Sequence, residues 1–250
     1  MSEGFLTRAC IPESRVCTAL VSYSKQYIID ELERIGIRTV PSGSLTCISG
    51  AERLHADMGF CHIGAGHIFA ACNSDEKSRR LLSAAGLTVH LTAAPVSAAS
   101  PSLNLRILSD KLLCCTRTAD SELIDLFRAK GFGILHTNQR YTACSTAIVA
   151  ENALITADES IYRLCLSSGI DALKISEGHI ELEGYSHGFI GGCCGLISKD
   201  TLAFSGDISM HPDYPDMKAF AASYGVSLLS LSDRPLYDIG GILPLTEERR

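Results

Sequence analysis

Residues 144–175 read CSTAIVAENALITADESIYRLCLSSGIDALKI. The run 144–149 is β-type, Ala150-Glu151-Asn152 is a turn, and 153–155 is a second apolar run, so the segment opens as a hairpin. Thr156-Ala157-Asp158-Glu159 then has the hydroxyl-to-carboxylate spacing of a capping box. Ile161, Leu164, Cys165 and Ser168 fall on one face of the helix that follows. Gly169 is the left-handed stop expected just past a helix end, and 171–175 return as a strand. The unit is therefore strand, turn, strand, helix, strand.

The same order recurs along the chain, each helix ending at a glycine before an apolar residue: Gly36, Gly86, Gly131, Gly169 and Gly225. A second unit places strands at 57–62 and 67–72 around Gly64-Ala65-Gly66, a helix near 74–85 and a strand at 87–91. A third has strands at 103–108 and 112–116, a helix near 119–130 and a strand at 132–136. The fifth has strands at 194–198 and 201–205, a long insertion, a helix near 214–224 and a strand at 226–231. The first is short, with a strand at 16–21, a helix near 23–35 and a strand at 37–40. It lacks one strand, which residues 236–245 are expected to supply. One such unit buries too little apolar surface to stand alone, so neighbours must pack together. The expectation is an α/β chain of five ββαβ blades in a propeller-like ring. Residues 1–250 would form a single domain, with the C-terminal strand closing on the N-terminal unit. An ordinary three-layer α/β arrangement with irregular repeats is the competing architecture.

Composition narrows the function classes. Of 250 residues, 46% are hydrophobic and 20% charged, which suits a packed core and excludes a disordered chain. The net charge of -6 and the absence of a basic stripe argue against nucleic acid as a partner. No apolar run is long enough to span a membrane, and the N-terminus lacks the pattern of a secretory signal, so a cytoplasmic protein is expected. Eleven cysteines, none in a C-x-x-C pair, do not read as the disulfide framework of a small secreted domain. Most sit in apolar company and read as core filler. Gly64-Ala65-Gly66 has Phe69 where a dinucleotide loop needs its third glycine, so it reads as a hairpin turn. No cofactor is expected.

The five-unit pattern resembles the pentein fold of the guanidine-group-modifying superfamily, most closely an uncharacterised bacterial family assigned to it. The resemblance is carried by residues 136–145 (HTNQRYTACS), 176–181 (SEGHIE), 206–213 (GDISMHPD) and 237–241 (YDIGG). It implies a site in which a cysteine thiolate attacks a guanidinium carbon, a histidine shuttles protons and carboxylates hold the cation. The thiolate is the nucleophilic form, and a nearby cation lowers its pKa. His55-Ala56-Asp57 resembles the His-x-Asp of these enzymes, and Cys144 opens a unit two blades later, the separation the enzymes also use. The resemblance has departures. The enzymes carry their nucleophile in the last unit, whereas 237–245 holds no cysteine, and no Glu-Gly-Gly-Asp is present.

These readings make Cys144 the candidate nucleophile, expected to be partly exposed, and His55 the candidate general acid/base. Asp57 and Glu177 would hold the cation, with Asp207 in second rank. If 55–57 is a strand, His55 and Asp57 share a face, and Glu177, His179 and Glu181 alternate in the same way. Cys193 and Cys194, behind Gly191-Gly192, are the rival thiols. The function expected is a cysteine-dependent hydrolase or transferase acting on a guanidine or amidine compound. A small cationic molecule would be its partner, and a homodimer is compatible with the sequence. Two alternatives stand beside it. One is a non-catalytic binding protein on the same fold. The other is a metal-assisted hydrolase in which Asp207, His211 and Asp213 join His55 and Asp57.

Overall fold

The computed structural model describes residues 2–249. In the fourth unit, strand Thr146–Ala150 pairs antiparallel with Ala153–Thr156, which pairs parallel with Asp171–Lys174. Helix Glu159–Ser167 makes the crossover and buries Ile161 and Cys165 against the sheet. Its cap is Asp158 rather than Thr156: the Asp158 carboxylate accepts from the Ile161 amide at 2.9 Å. The Thr156 hydroxyl instead donates to the Ser145 carbonyl at 2.8 Å. Asp75 and Asp120 cap their helices in the same way, so a carboxylate just before the first turn is the recurrent start signal. The stops recur too: Gly36, Gly86, Gly131, Gly169 and Gly225 all have φ between +71° and +91°, a region costly for residues with a Cβ.

The same ββαβ order gives three-stranded sheets in the second, third and fifth units: Phe60–Gly64, His67–Ala70 and Thr88–Leu91; Arg106–Leu108, Lys111–Cys114 and Gly133–His136; Cys194–Ser198, Thr201–Phe204 and Ser227–Ser230. The first unit has four strands, in the order Glu3–Phe5, Ile242–Glu248, Val16–Val21, Arg38–Pro41. The missing strand does come from the C-terminus, with Ile242 opposite Val21 and Glu247 opposite Val16. It begins later than 236, because residues 236–241 run as a loop before it, and Glu3–Phe5 adds an edge strand that the sequence did not signal. Each unit buries a leucine completely, namely Leu32, Leu82, Leu112, Leu154 and Leu202, each contributing ~2 kcal/mol. Strand Cys194–Ser198 lies beside both Thr146–Ala150 and Ile242–Glu248, which brings remote parts of the chain together.

One local expectation fails, and of the two settings open to 177–181, a polar channel or a loop, the loop is observed. Residues Ala56–Gly59 form a short helix, so His55 and Asp57 do not alternate along a strand. Residues 176–189 form no strand beyond a single bridge from Glu181 to Tyr237, and Glu177, His179 and Glu181 are exposed.

Candidate functional site

Three remote segments meet at Cys144. The first is 51–59, where a 3-10 turn, Ala51–Leu54, passes through extended His55 into Ala56–Gly59. Glu52, His55 and Asp57 are all buried in it. The second is the loop before the C-terminal strand. The Asp57 amide donates to the Gly240 carbonyl at 3.0 Å, and Gly240, at φ +75°, lies so close to His55 that a Cβ there would overlap its side chain. The third is the turn that carries Cys144 into strand Thr146–Ala150, where Asn104 acts as a clamp. Its Oδ1 accepts from the Ala143 and Cys144 amides at 2.7 and 3.2 Å, and its Nδ2 donates to Cys144 Sγ at 3.1 Å.

Cys144 Sγ donates in turn to Asp57 Oδ2 at 2.9 Å. Asp238, from the C-terminal loop, is 1% exposed. It accepts from the Gly240 and Phe189 amides, both at 2.9 Å, and its Oδ1 lies 3.7 Å from His55 Nδ1. A Cβ on Gly192 would overlap Asp238, so Gly191-Gly192 serves close backbone approach. The rival thiols are buried behind it, with Cys193 donating to the Ile190 carbonyl and both in the core.

Electrostatics define what this site lacks. Burial pushes the Asp57 carboxyl up to about 6; His55 opposes the rise and the Asp238 charge adds to it. Burial raises Cys144 well above the ordinary thiol value, and the Asp57 and Asp238 charges raise it further, against the donation from Asn104. Cys144 is 2% exposed and rests as a thiol, not as the partly exposed group expected from its polar surroundings. A cation placed here would favour both the carboxylates and the thiolate.

A cavity of about 250 Å³ opens onto this group. Its floor includes Glu52, His55, Cys144 and Asp238, and its walls include Tyr141 and Phe189, whose rings stack at 6.2 Å with planes 23° apart. Tyr185, half exposed, donates its phenol to Glu52 Oε1, an interaction that pushes the phenol up to about 12. Glu52 Oε2 and Asp57 Oδ1 are buried and have no hydrogen-bond partner. Buried carboxylate oxygens without a donor are groups that a water, an ion or a bound ligand can satisfy.

The other expected site residues lie apart. Glu177 is exposed and lines a separate small hollow with Gln139 and Asp158, not the Cys144 cavity. Asp207 caps the 3-10 turn Ile208–Met210 by accepting from the Ser209 amide at 2.9 Å. Asp213 accepts from the Ser176 amide at 2.5 Å, and His211 Nδ1 accepts from the Asp213 amide at 3.2 Å. These three shape the insertion and do not join His55 and Asp57 as a metal set. Among the described residues, the group whose ligand atoms come within 4.8 Å of one another is His55, Asp57 and Cys144, a nitrogen, oxygen and sulfur set of the kind zinc accepts. Asn104, Asp238 and Glu52 escaped sequence reasoning. Asn104 left one trace, an amide between Leu103 and Leu105, and Asp238 another, an acid set between apolar residues and Gly240-Gly241.

Five small sheets, four of them built in the same ββαβ order, give the chain a pentein-like fold. The chain belongs to the family described as "Family of unknown function (DUF6873)", which it matches over residues 20–243. It is similar in structure to an amidinotransferase of saxitoxin biosynthesis from Microseira wollei, at 10% identity, 90% coverage of this chain, 91% of that one and a TM-score of 0.59. An inosamine-phosphate amidinotransferase from Streptomyces griseus is similar at 11% identity, with coverages of 98% and 97% and a TM-score of 0.59. A DDAH from Pseudomonas aeruginosa, complexed with citrulline, gives 10% identity, coverages of 93% and 99% and a TM-score of 0.52. At these identities the likeness is one of fold. No curated protein matches the chain. No helix among the described residues is long and apolar enough to cross a membrane.

Proposed function

We propose that the chain is a single pentein domain whose five units close into a propeller-like ring, and that it hydrolyses or transfers the amidino group of a small guanidine or amidine compound. The observation that carries this reading is the placement of Cys144 Sγ. It lies between the Asp57 carboxylate and the Asn104 amide, at a cavity where Glu52 keeps one buried oxygen without a partner. The amidinotransferases and the citrulline-bound DDAH on the same fold support it. An intracellular setting, where eleven thiols stay reduced, is part of the proposal.

The chemistry follows from the charges. A planar cation enters against Glu52 and Asp238, beside the stacked rings of Tyr141 and Phe189. Its charge lowers the Cys144 pKa, the thiol proton passes to Asp57, and Sγ bonds to the amidino carbon. The C–N bond to the leaving amine then breaks as that amine takes up a proton, from Asp57 or from His55. His55 is oriented by Asp238. Water or an acceptor amine next adds to the S-amidino intermediate and gives a proton back to whichever group supplied the leaving amine, the C–S bond breaks, and the thiolate recovers its proton from Asp57. A carboxyl pushed up to about 6 suits proton transfer near neutrality.

The test is alkylation by 2-chloroacetamidine, with iodoacetamide at matched dose as the neutral control, read by intact mass and peptide mapping. The expected result is one fast adduct at Cys144, suppressed in His55→Ala. Slow labelling spread over many of the eleven thiols, indifferent to reagent charge, would overturn the reading and favour a non-catalytic binding protein.

A further inference from the structure

The Cys144 cavity adjoins a second space. Leu182, Tyr185 and Ser186 line both it and an open hollow of about 590 Å³ that is also lined by Lys25, Glu181, Glu183 and Tyr237. A molecule seated with its guanidinium at Cys144 and long enough to pass these three residues reaches this hollow, and the charge there bears on what its far end can be. Among the described residues, no lysine or arginine lines the inner cavity, while Glu52 and Asp238 do. Glu52 is 6% exposed and keeps one oxygen without a partner. Among the described residues, Lys25 is the one lysine or arginine lining the outer hollow, beside His179 and the exposed carboxylates of Glu181 and Glu183. The Lys25 ammonium is already engaged, 3.8 Å from the centroid of the Tyr237 ring. Among the described residues lining the two spaces there is no arginine, whose paired, forked donors would hold a carboxylate.

We infer that the substrate is a guanidino compound whose far end is an amine, a dication, and not a guanidino acid. The inference rests on the preceding reading of Cys144 and deepens it. A carboxylate tail would meet net negative charge in both spaces. An ammonium tail would meet Glu181 and Glu183 after its guanidinium meets Glu52 and Asp238.

The experiment follows 2-chloroacetamidine alkylation of Cys144 in the full chain, with agmatine, butylguanidine and 4-guanidinobutyrate as protectants at low and high salt. Agmatine should protect at a concentration at least tenfold below that of 4-guanidinobutyrate, with butylguanidine between them. The gap should shrink as salt screens the tail. It should also shrink in a Glu181→Gln, Glu183→Gln variant and widen in Lys25→Gln. Protection by 4-guanidinobutyrate at an equal or lower concentration would overturn the inference while leaving the guanidine chemistry standing. If none of the three protects, both the inference and the reading beneath it fall. The unaltered protein alone decides the first comparison, so the outcome does not depend on a variant folding.

Discussion

The Cys144 thiol donates to Asp57 across 2.9 Å with both side chains buried, so two acids share one dry space and cannot both ionise cheaply. The thiol is raised well above its ordinary value and the carboxyl to about 6. Reactivity should therefore depend on the charge of the reagent. With neutral iodoacetamide, alkylation of Cys144 should climb steadily into the alkaline range. With cationic 2-chloroacetamidine it should already proceed near neutrality. The ratio of the two rates, measured from pH 6 to 10, should be greatest at the acid end; a constant ratio would rule out assistance by the cation.

Asp57 should lower stability in its present form. Its folded pKa lies above its ordinary 3.8, so the native state holds this proton more tightly than the unfolded chain does. Stability from this source is complete below pH 3.8 and is lost as pH rises through about 6. The loss is at most about 3 kcal/mol. Asp57→Asn should therefore gain stability over the parent as pH increases from 4 to 7, in denaturant melts, while alkylation of Cys144 by the cationic reagent falls at least ~100-fold.

His62 has the opposite sign. Both of its ring nitrogens are buried without a partner, and burial pulls its pKa down to about 4. Its stability is present above its ordinary 6.5 and is lost as pH falls through about 4, by about 3 kcal/mol. Asp57 and His62 thus offset each other over nearly the same range. His62→Leu should be less sensitive to acid than the parent between pH 6.5 and 4, and Asp57→Asn more sensitive. Parallel curves for all three proteins would contradict this account.

Gly240 and Gly225 make a matched pair. Both have positive φ, but a Cβ on Gly225 meets nothing within 4 Å, while one on Gly240 overlaps His55. Gly225→Ala should cost about 1 kcal/mol, the left-handed conformation alone. Gly240→Ala should cost roughly 3 kcal/mol or more and should also slow Cys144 alkylation, because His55 must move. Equal melting temperatures for the two variants would mean that the loop is free to retreat.

The metal reading has its own measurement. His55, Asp57 and Cys144 can converge on one ion, so zinc should protect Cys144 from alkylation, and a chelator should restore the reaction. If guanidine turnover is then found in chelator-treated protein, the ion is an inhibitor at this site. Turnover that returns only with added zinc would reverse the assignment.

Much of this architecture is local chemistry and so is legible along the chain. The five long helices read from the chain stop at glycines of positive φ, and strands Val16–Val21 and Cys194–Ser198 fall where apolar runs place them. The caps Asp75, Asp120 and Asp158 are equally local, but at the one start read from the chain the hydroxyl of Thr156 draws the reading instead. Ala56–Gly59 misled because four residues are too few to show a period, so a helical turn passes for the start of a strand. His55, Asp57 and Cys144 were recognisable as residue types within a family resemblance. Their partners were not, because Asn104 and Asp238 reach the thiol's surroundings only through tertiary contacts. Glu177 looked equally suitable on paper, yet nothing in its own segment holds it toward Cys144.

The first sheet is completed by Ile242–Glu248, and the cavity floor by Asp238 a few residues earlier. On the ribosome, then, Val16–Val21 emerges long before its antiparallel neighbour, and its open edge must be kept from other chains until Ile242–Glu248 has been made. Chaperone demand should be concentrated on that early segment. A nascent chain stalled before residue 238 should carry all eleven of these cysteines and still be inert toward a cationic alkylator, so chemical competence arrives only once Asp238 and the strand after it have been made.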